Sequence, residues 1–526
     1  MENCNDIQIK KWIFIFTNDL FCTIISVSGG EDVPNVELNG AVIPVETDTL
    51  ISDCLKSAKM ALPCGGNGVC GKCKVVVMGN VSPLTNAEKN LLTQTEIDKG
   101  IRLACYTHIL GDCTIQSLVA EVAQIQTSTH NVVTSGCTRA FRFGAAIDIG
   151  TTTVAASLYD AAGRCLATAT AVNPQIAHGM DVLSRVEAAV DGRGTELSAE
   201  IRTCIGEILH HLAESAHIDV SHIDSVVVTG NTVMLCLFTA TAVESLLKAP
   251  FNSSRYFGEI VTASECGVLA LAGNTPVYLP RCLDAFLGAD LVCAVLSTGM
   301  CNGEESALLV DIGTNGEMAL WHDNVLYVCS TAAGPAFEGI GVSCGTAAIK
   351  GAIECVEVVN DSLFAYTIGG GLATGICGSG LIDTLACLLS QEELDTEGTL
   401  SMESIRVTNS IYLTRSDVQS LILAKSAIRS GIDTLLFRAG ITVKDVDHLY
   451  IAGGFGNTLN LHNAVRIGLL PNGFEYKASF VGNAALQGAA ELLFKPYSDS
   501  ILTWRKVELA TDEFFADAFI RNMRFK

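Results

Sequence analysis

A chain of 526 residues is too long for one ordinary hydrophobic core, so two or more domains are expected. Apolar residues make up 49% of the chain and charged residues 17%, which is typical of folded α/β proteins and excludes an intrinsically disordered chain. The net charge of −23 argues against a nucleic-acid-binding protein, because such proteins concentrate Lys and Arg on one face.

The N-terminal residues do not resemble a targeting signal. Glu2 and Asp6 stand where a signal peptide has basic residues, and the apolar run at 12–16 is too short to span a membrane. We therefore treat residues 1–32 as an N-terminal segment of unassigned role in a cytoplasmic protein. In that compartment most of the 21 cysteines are expected to be reduced thiols, buried as small apolar side chains.

Residues 33–120 are predicted to form a small α+β domain around a glycine-rich cysteine loop. One helical stretch lies near residues 50–61. Short β-type runs lie at residues 36–38, 41–45, 74–78 and 113–115. Residues 121–142, which are rich in Thr and Ser near their middle, are predicted to be a linker.

Four cysteines in this domain have a spacing that indicates a metal cluster. Cys64, Cys70 and Cys73 follow the pattern C-x5-C-x2-C, and Cys105 lies in a distant turn. A [2Fe–2S] cluster takes its thiolates in this way, and a glycine-rich loop lets backbone N–H groups point at the sulfur atoms. Zinc is the alternative, but zinc sites favour two Cys-x-x-Cys knuckles, and this region has one. We predict that these four residues bind a [2Fe–2S] cluster.

An apolar strand that ends in Asp-Ile-Gly-Thr occurs twice, at residues 145–153 and again at 308–316. Such self-similarity predicts two duplicated lobes, residues 143–297 and 298–526. Helical stretches alternate with apolar runs over this part of the chain, which indicates α/β layers. The helices are predicted at 198–216, 380–390 and 416–439, and the apolar runs lie at 225–229 and 448–451.

The repeated motif is suited to a nucleotide. It places a carboxylate at the strand tip, lets a phosphate approach the glycine, and offers hydroxyl and amide donors. Two such hairpins can hold a magnesium triphosphate between them. Glycine clusters follow at 333–336, 375–380 and 451–457, and the helix that begins near Ser379 could either accept a phosphate or be capped there. Each cluster alone is more often a structural turn.

The succession of two Asp-Ile-Gly-Thr motifs and a late Gly-Gly turn resembles the superfamily of acetate and sugar kinases, heat-shock chaperones and actin. The resemblance implies a two-lobed, actin-like (ASKHA) ATPase fold. It implies that Asp148 and Asp311 bind magnesium through water or orient the attacking water, and Glu317 is a further candidate catalytic group. The residues implied to contact the nucleotide are Gly150, Thr151, Thr152, Thr153, Gly313, Thr314, Asn315, Gly334, Gly378, Ser379, Gly453, Gly454 and Asn457.

A ferredoxin domain ahead of this ATPase resembles the reductive activators of corrinoid proteins. The stretches that support the resemblance are Asn173-Pro174-Gln175 and residues 179–185, 229–232, 375–382 and 482–485. The resemblance implies a β-grasp [2Fe–2S] domain, ATP and Mg²⁺ as cofactors, and reduction of Co(II) to Co(I) in the corrinoid protein of a methyltransferase system. Well-known members also carry a middle domain between the ferredoxin and the ATPase, whereas here only the linker separates the two.

The resemblance also implies a low-potential electron donor such as a reduced ferredoxin, and it leaves a homodimer open. Neither a nucleic acid nor a membrane is expected as a partner. Two other functions fit the same residues. The first is a small-molecule kinase or phosphotransferase with an accessory cluster, because this fold serves many activities. The second is an electron carrier whose nucleotide site only regulates docking.

Overall fold

The computed structural model describes residues 34–58, 60, 62, 64–68, 70–118, 131–132, 141–454, 459–495 and 503–525, together with the backbone of 12–14 and 24–26. The chain forms two compact units. The smaller unit lies within Met1–Ala58 and Gly66–Val119, and the larger one comprises Lys59–Gly65 and Ala120–Lys526. Most of the predicted linker and of residues 1–32 lies outside the described residues. Within the described ranges, every helix is too short or too polar to cross a bilayer.

The smaller unit contains a five-stranded sheet in the order β4-β3-β7-β5-β6. Strands β3 and β7 are parallel, and β3 and β4 form a hairpin through Asn39-Gly40, whose positive φ angles suit a tight two-residue turn. The predicted strands and helix are confirmed, and the arrangement is that of a β-grasp ferredoxin. The elements are β1 (Trp12–Phe14), β2 (Ile24–Ser26), β3 (Asn35–Leu38), β4 (Ala41–Pro44), α1 (Ile51–Ser57), β5 (Lys74–Val81), α2 (Asn86–Leu91), α3 (Gln94–Asp98), β6 (Ile101–Leu103) and β7 (Ile109–Ser117).

The larger unit begins with a six-stranded sheet in the order β10-β9-β8-β11-β13-β12. Its central strand β8 is buried on both faces, which explains its continuous apolar run. The elements are β8 (Phe143–Ile149), β9 (Thr153–Asp160), β10 (Cys165–Val172), α4 (Val182–Ala188), α5 (Gly194–Ser215), β11 (Ile223–Gly230), α6 (Thr232–Phe238), β12 (Glu259–Thr262), α7 (Ala263–Cys266), β13 (Pro276–Leu279) and α8 (Ala289–Thr298).

A second six-stranded sheet follows, in the order β23-β22-β14-β15-β16-β24, together with two separate small sheets, β18-β17-β19 and β20-β21. The elements are β14 (Ala307–Ile312), β15 (Gly316–His322), β16 (Val325–Thr331), β17 (Ala352–Val359), β18 (Ser362–Thr367), β19 (Gly375–Ile376), α9 (Gly378–Ser390), β20 (Ser404–Arg406), β21 (Tyr412–Thr414), α10 (Arg415–Ala439), β22 (His448–Gly453), α11 (Leu461–Arg466), β23 (Ala478–Gly482), α12 (Ala484–Phe494), β24 (Trp504–Lys506) and α13 (Glu513–Asn522).

The two large sheets repeat one topology. In each, three successive antiparallel strands form a meander, and the first of the three pairs in parallel with a later strand. The duplicated lobes of an ASKHA fold are therefore present. Helix α12 is an exception to a simple division at residue 298, because it packs against α8 and the first sheet. Its Gly488 permits this contact, since a side chain there would overlap the backbone of Cys293.

Candidate functional site

The repeated hairpins place one aspartate at the tip of a central strand in each lobe. Asp148 is the last but one residue of β8, and Asp311 has the same position in β14. The N–H of Gly150 donates to the carbonyl of Thr153 at 3.0 Å, and the N–H of Gly313 donates to a carbonyl two residues further on at 3.1 Å. Each strand therefore turns sharply just after its aspartate, which leaves the carboxylate at the strand tip.

One carboxylate joins the two hairpins. Glu338 ends a short helical turn, Pro335–Glu338, and accepts hydrogen bonds from Thr152 Oγ1 at 3.2 Å and from Thr314 Oγ1 at 3.1 Å. The N–H of Gly334, at the start of that turn, donates to the carbonyl of Thr314 at 2.9 Å. Three of the residues predicted to bind nucleotide are thus brought together from the two lobes.

Both aspartates also contact residues from late in the chain. Asn483 is the N-cap of α12, and its Nδ2 donates to Asp148 Oδ2 at 2.9 Å while its Oδ1 accepts from the N–H of Leu486 at 2.8 Å. Gly453 lies against the other aspartate, because a Cβ atom there would be 2.8 Å from Asp311 Oδ1. Only glycine fits at this position, where φ is also positive.

Five carboxyl groups gather in this region, namely those of Asp148, Asp290, Asp311, Glu317 and Glu338. Burial raises the pKa of each of them, to about 7 for Asp148 and Asp311 and to about 6 for Asp290. Repulsion from Asp290 raises the pKa of Asp148, Asp311 and Glu317 further. A divalent cation with oxygen ligands would relieve this repulsion, so these side chains fit Mg²⁺.

Asp290 and Glu338 were not predicted from the sequence. Asp290 lies in the first turn of α8, where neither a repeat nor a known motif distinguishes it. The residue that could have indicated Asp290 in the sequence is Gly288, just before that helix. A Cβ atom there would be 2.5 Å from Asp290 Oδ1 and 2.8 Å from the carbonyl of Gly230, so this position requires glycine. Glu338 lies in a similar glycine-bounded turn, between Gly334 and Gly339.

Three other residues that are predicted to contact the nucleotide do not bond to Glu338. Thr151 Oγ1 accepts from Asn231 Nδ2 at 3.3 Å, and the side chain of Asn315 forms a hydrogen bond with Glu317. The buried Thr153 hydroxyl lacks a hydrogen-bond partner among the described residues.

Two predicted phosphate contacts lie at the start of α9, which begins at Gly378. The Ser379 hydroxyl there donates to the carbonyl of Glu354 at 2.8 Å, so this donor is used within the second lobe. Gly453 is the last residue of β22 and Gly454 follows it, and their contact with the nucleotide stays a prediction. Asn457 lies outside the described residues.

The cysteine loop has the backbone that a cluster requires. Its four glycines all have positive φ between 62° and 87°, a region that other residues rarely adopt: Gly65, Gly66, Gly68 and Gly71. The N–H of Lys72 points at Cys70 Sγ at 3.4 Å, the kind of bond that stabilises a thiolate ligand. Cys73 Sγ and Cys105 Sγ are 3.2 Å apart, too far for a disulfide and close enough to share one cluster. Cys64 is buried. These features fit an iron–sulfur cluster.

A buried carboxylate supports the turn that carries Cys105. Glu88 is completely buried and accepts from Arg102 Nε at 2.8 Å, from the N–H of Leu103 at 3.2 Å and from Thr107 Oγ1 at 3.2 Å. Burial alone would raise the pKa of Glu88, but the bonds from Arg102 and from backbone N–H groups outweigh it and lower the pKa to about 2. Residues on both sides of Cys105 are therefore held by one side chain.

Replacing Glu88 with Gln should destabilise the smaller unit by about 3 kcal/mol, because Arg102, whose side chain is only 12% exposed, would lose its ionic partner. The pKa of Glu88 is lower in the folded state, so the stability that it contributes is present above pH 4.5 and is lost as the pH falls towards 2. Urea titrations of the reconstituted protein, followed by its iron–sulfur absorbance, measure both effects. Glu96→Gln is the matched control, because Glu96 has the same capping box but pairs with a partly exposed Lys74. Equal losses in the two variants would contradict this account.

Tyr106 ties the loop to the same turn. Its hydroxyl donates to the carbonyl of Gly68 at 2.8 Å, and a Cβ atom on Gly68 would lie 2.7 Å from that hydroxyl. We expect Tyr106→Phe to lose its cluster to a chelator about fivefold faster, the effect of one neutral hydrogen bond. Bleaching of the visible absorption measures this rate, and Tyr476→Phe, whose side chain is exposed, should bleach like the unmodified protein. An unchanged rate in Tyr106→Phe would show that the bond does not retain the cluster.

Three family models match this chain, in the same order as its parts. The model described as the 2Fe-2S iron-sulfur cluster binding domain matches residues 35–110. The model described as the RACo middle region matches residues 143–303, and the C-terminal domain of RACo, the ASKHA domain, matches residues 305–526. The segment that is called the middle region in that family is therefore present at residues 143–303, which include the predicted first lobe, and the expectation that this chain lacks a middle domain is wrong.

Characterised proteins resemble the chain over most of its length. The corrinoid activation enzyme RamQ of Eubacterium limosum is 32% identical over 419 residues, which are 73% of this chain and 70% of that protein. The Co(II) methylated amine-specific corrinoid protein reductase of Methanosarcina barkeri is 28% identical over 421 residues, 73% of this chain and 77% of that protein. A solved structure of a reductive activator for corrinoid, iron-sulfur protein covers 94% of this chain and 98% of its own, with a TM-score of 0.66 and 27% identity.

Proposed function

The chain belongs to the family of reductive activators of corrinoid proteins, and we propose on this basis that it reduces the Co(II) form of a corrinoid protein to Co(I) at the expense of ATP. The substrate is then the corrinoid protein of a methyltransferase system, inactivated when its cobalt is oxidised. One observation carries the proposal. A cysteine loop built for an iron–sulfur cluster and a carboxylate-lined site between two Asp-Ile-Gly-Thr hairpins occur in the same chain.

The energetic problem explains why both sites are needed. A bound [2Fe–2S] cluster supplies a one-electron carrier with a potential near −400 mV in the plant-type ferredoxins. For one electron, every ~59 mV of deficit costs about 1.4 kcal/mol, so reducing a couple of much lower potential requires another source of free energy. ATP can supply it only if the nucleotide states of the protein differ in their affinity for the corrinoid partner.

The residues of the larger unit have distinct tasks in this proposal. Asp148 and Asp311 would hold Mg²⁺ through water or orient the attacking water, and Asp290 and Glu317 would add negative charge around the cation. The hydroxyls of Thr152 and Thr314 now donate to Glu338, so a phosphate that accepts them would compete with this carboxylate. Because Glu338 connects the two lobes, such competition offers a physical reason for the lobes to move when nucleotide binds.

Several parts of the proposal concern the cell rather than the site. A low-potential donor such as a reduced ferredoxin would supply the electrons, and the protein would act in the cytoplasm, alone or as a homodimer.

The decisive experiment follows the cobalt spectrum. Purified reconstituted protein is mixed with a low-potential reductant and a candidate corrinoid protein from the same genome, with and without ATP. We expect Co(I) to appear only with ATP. Equal rates without nucleotide would refute the coupling, and a phosphorylated small molecule among the products would indicate a kinase instead.

A further inference from the structure

Arg185, in α4, is a fully buried cation that the proposed reaction does not use. Its side chain has no solvent exposure, although burying a guanidinium normally costs several kcal/mol. The hydrogen bonds that it donates go to neutral groups rather than to a carboxylate. Burial lowers its pKa to about 9, and the charges of Asp181 and Glu200 offset only part of this shift. A charge kept under such conditions calls for a functional reason.

The guanidinium is connected to the first phosphate hairpin. Its Nη2 donates to the carbonyl of Thr151, which lies in the Asp-Ile-Gly-Thr turn. Its Nε donates to the carbonyl of Gly179 at 2.9 Å, and Nη1 reaches Gln175 Oε1 at 3.5 Å. The cation thus lies behind the turn and is held in place by the segment that precedes its own helix.

Neighbouring carbonyls of the turn are bound from the same segment. Asn173 Nδ2 donates to the carbonyl of Gly150 at 2.8 Å, and the N–H of Asn173 donates to the carbonyl of Thr152 at 2.9 Å. Three successive carbonyls of the hairpin are therefore fixed by Asn173 and Arg185. Both residues belong to the stretches 173–175 and 179–185, which resemble the corrinoid activators and have no role in the proposed reaction.

The geometry of the peptide bond gives this arrangement a consequence. In a trans peptide the N–H points opposite to the C=O, so holding the carbonyl of Thr151 directs the N–H of Thr152 to the other side of the turn. Hydrogen bonding to a cation also polarises that peptide and strengthens its N–H as a donor. Successive N–H groups presented in this way form an anion-binding concavity.

We infer that Arg185 is a positioning residue for the nucleotide phosphates: it fixes the Thr151–Thr152 peptide so that its N–H faces the phosphates, and it places a positive charge behind them. The inference rests on the proposed nucleotide site and adds to it a determinant of affinity for the phosphate chain. The affinity for adenosine, which lacks phosphates, should not depend on Arg185.

The test compares ATP with adenosine on the full-length protein by calorimetry at constant Mg²⁺. Arg185→Met keeps most of the side-chain volume but removes the charge and the donors. We expect its affinity for ATP to fall about tenfold or more, the effect of losing a hydrogen bond to a charged group, while its affinity for adenosine stays within about twofold. Arg185→Lys keeps the charge but has fewer hydrogen-bond donors, so its affinity for ATP should lie between those of Arg185→Met and the unmodified protein. If Arg185→Met does not fold, the comparison of Arg185→Lys with the unmodified protein is the test.

Arg429→Met is the matched control. Arg429 is also buried, in α10, and donates to the carbonyls of Gly468 and Leu470, far along the chain from either hairpin. The Arg429→Met substitution should lower the unfolding midpoint without changing the ratio of ATP affinity to adenosine affinity. An unchanged ratio in the Arg185 variants, or the same change in Arg429→Met, would overturn the inference. Failure of the unmodified protein to bind ATP would instead refute the proposed function, and cobalt reduction does not enter this measurement.

Discussion

Replacing Cys64 with alanine should bleach the iron–sulfur absorption and abolish cobalt reduction, while ATP continues to be hydrolysed at its basal rate. A [2Fe–2S] cluster needs all four thiolates, and Cys64, just before the positive-φ turn at Gly65, is predicted to supply one of them. Alanine offers no ligand atom, so the loss of the electron path should be complete. The visible spectrum after anaerobic reconstitution and the release of phosphate measure the two parts of this outcome.

Cys54→Ala is the control for this experiment. Cys54 is buried in α1 outside the ligand set, and burial raises the pKa of its thiol to about 11, which makes it a poor ligand. This variant should keep both the colour and the reduction. A coloured, active Cys64→Ala protein would mean that the fourth ligand lies elsewhere.

Asp311→Asn should show the opposite pattern, a coloured protein that no longer hydrolyses ATP. Asp311 occupies the tip of β14 beside Gly453, and asparagine keeps its shape while removing the charge that would face Mg²⁺. Loss of a group that stabilises developing charge typically lowers the rate by about 100-fold or more. Phosphate release under saturating ATP measures the loss, and the iron–sulfur spectrum should remain unchanged.

The exposed Asp323, in the turn between β15 and β16, supplies the comparison. Asp323→Asn changes the same net charge in the same lobe and should hydrolyse ATP at the normal rate. If Asp311→Asn retained most of its activity, the carboxylate at this strand tip would not be the one that handles magnesium or water. Asp148 and Asp290 would then be the groups to test.

Sequence patterns over a few residues predicted several of the strands and helices. The short β-type runs at residues 36–38 and 41–45 correspond to β3 and β4, and the helical stretch at 416–439 corresponds to α10, because these signals arise within a few residues. Helices α2 and α3 were not anticipated, since six and five residues are too few for a helical period. Their capping boxes, Thr85 with Glu88 and Thr93 with Glu96, were the signal in the sequence.

The chemistry of the two sites followed from short strings of residues. Three cysteines within ten positions predict cluster ligands, and a carboxylate two residues before a glycine at the end of an apolar strand predicts a hairpin, in each case from local geometry alone. The groups that complete the sites come from far away. Glu338 lies 186 residues from the Thr152 that it contacts, and Asn483 lies 335 residues from Asp148. These long-range contacts form because the tips of strands from two similar sheets lie close together in the folded protein. A sequence pattern that spans only a few residues cannot predict them.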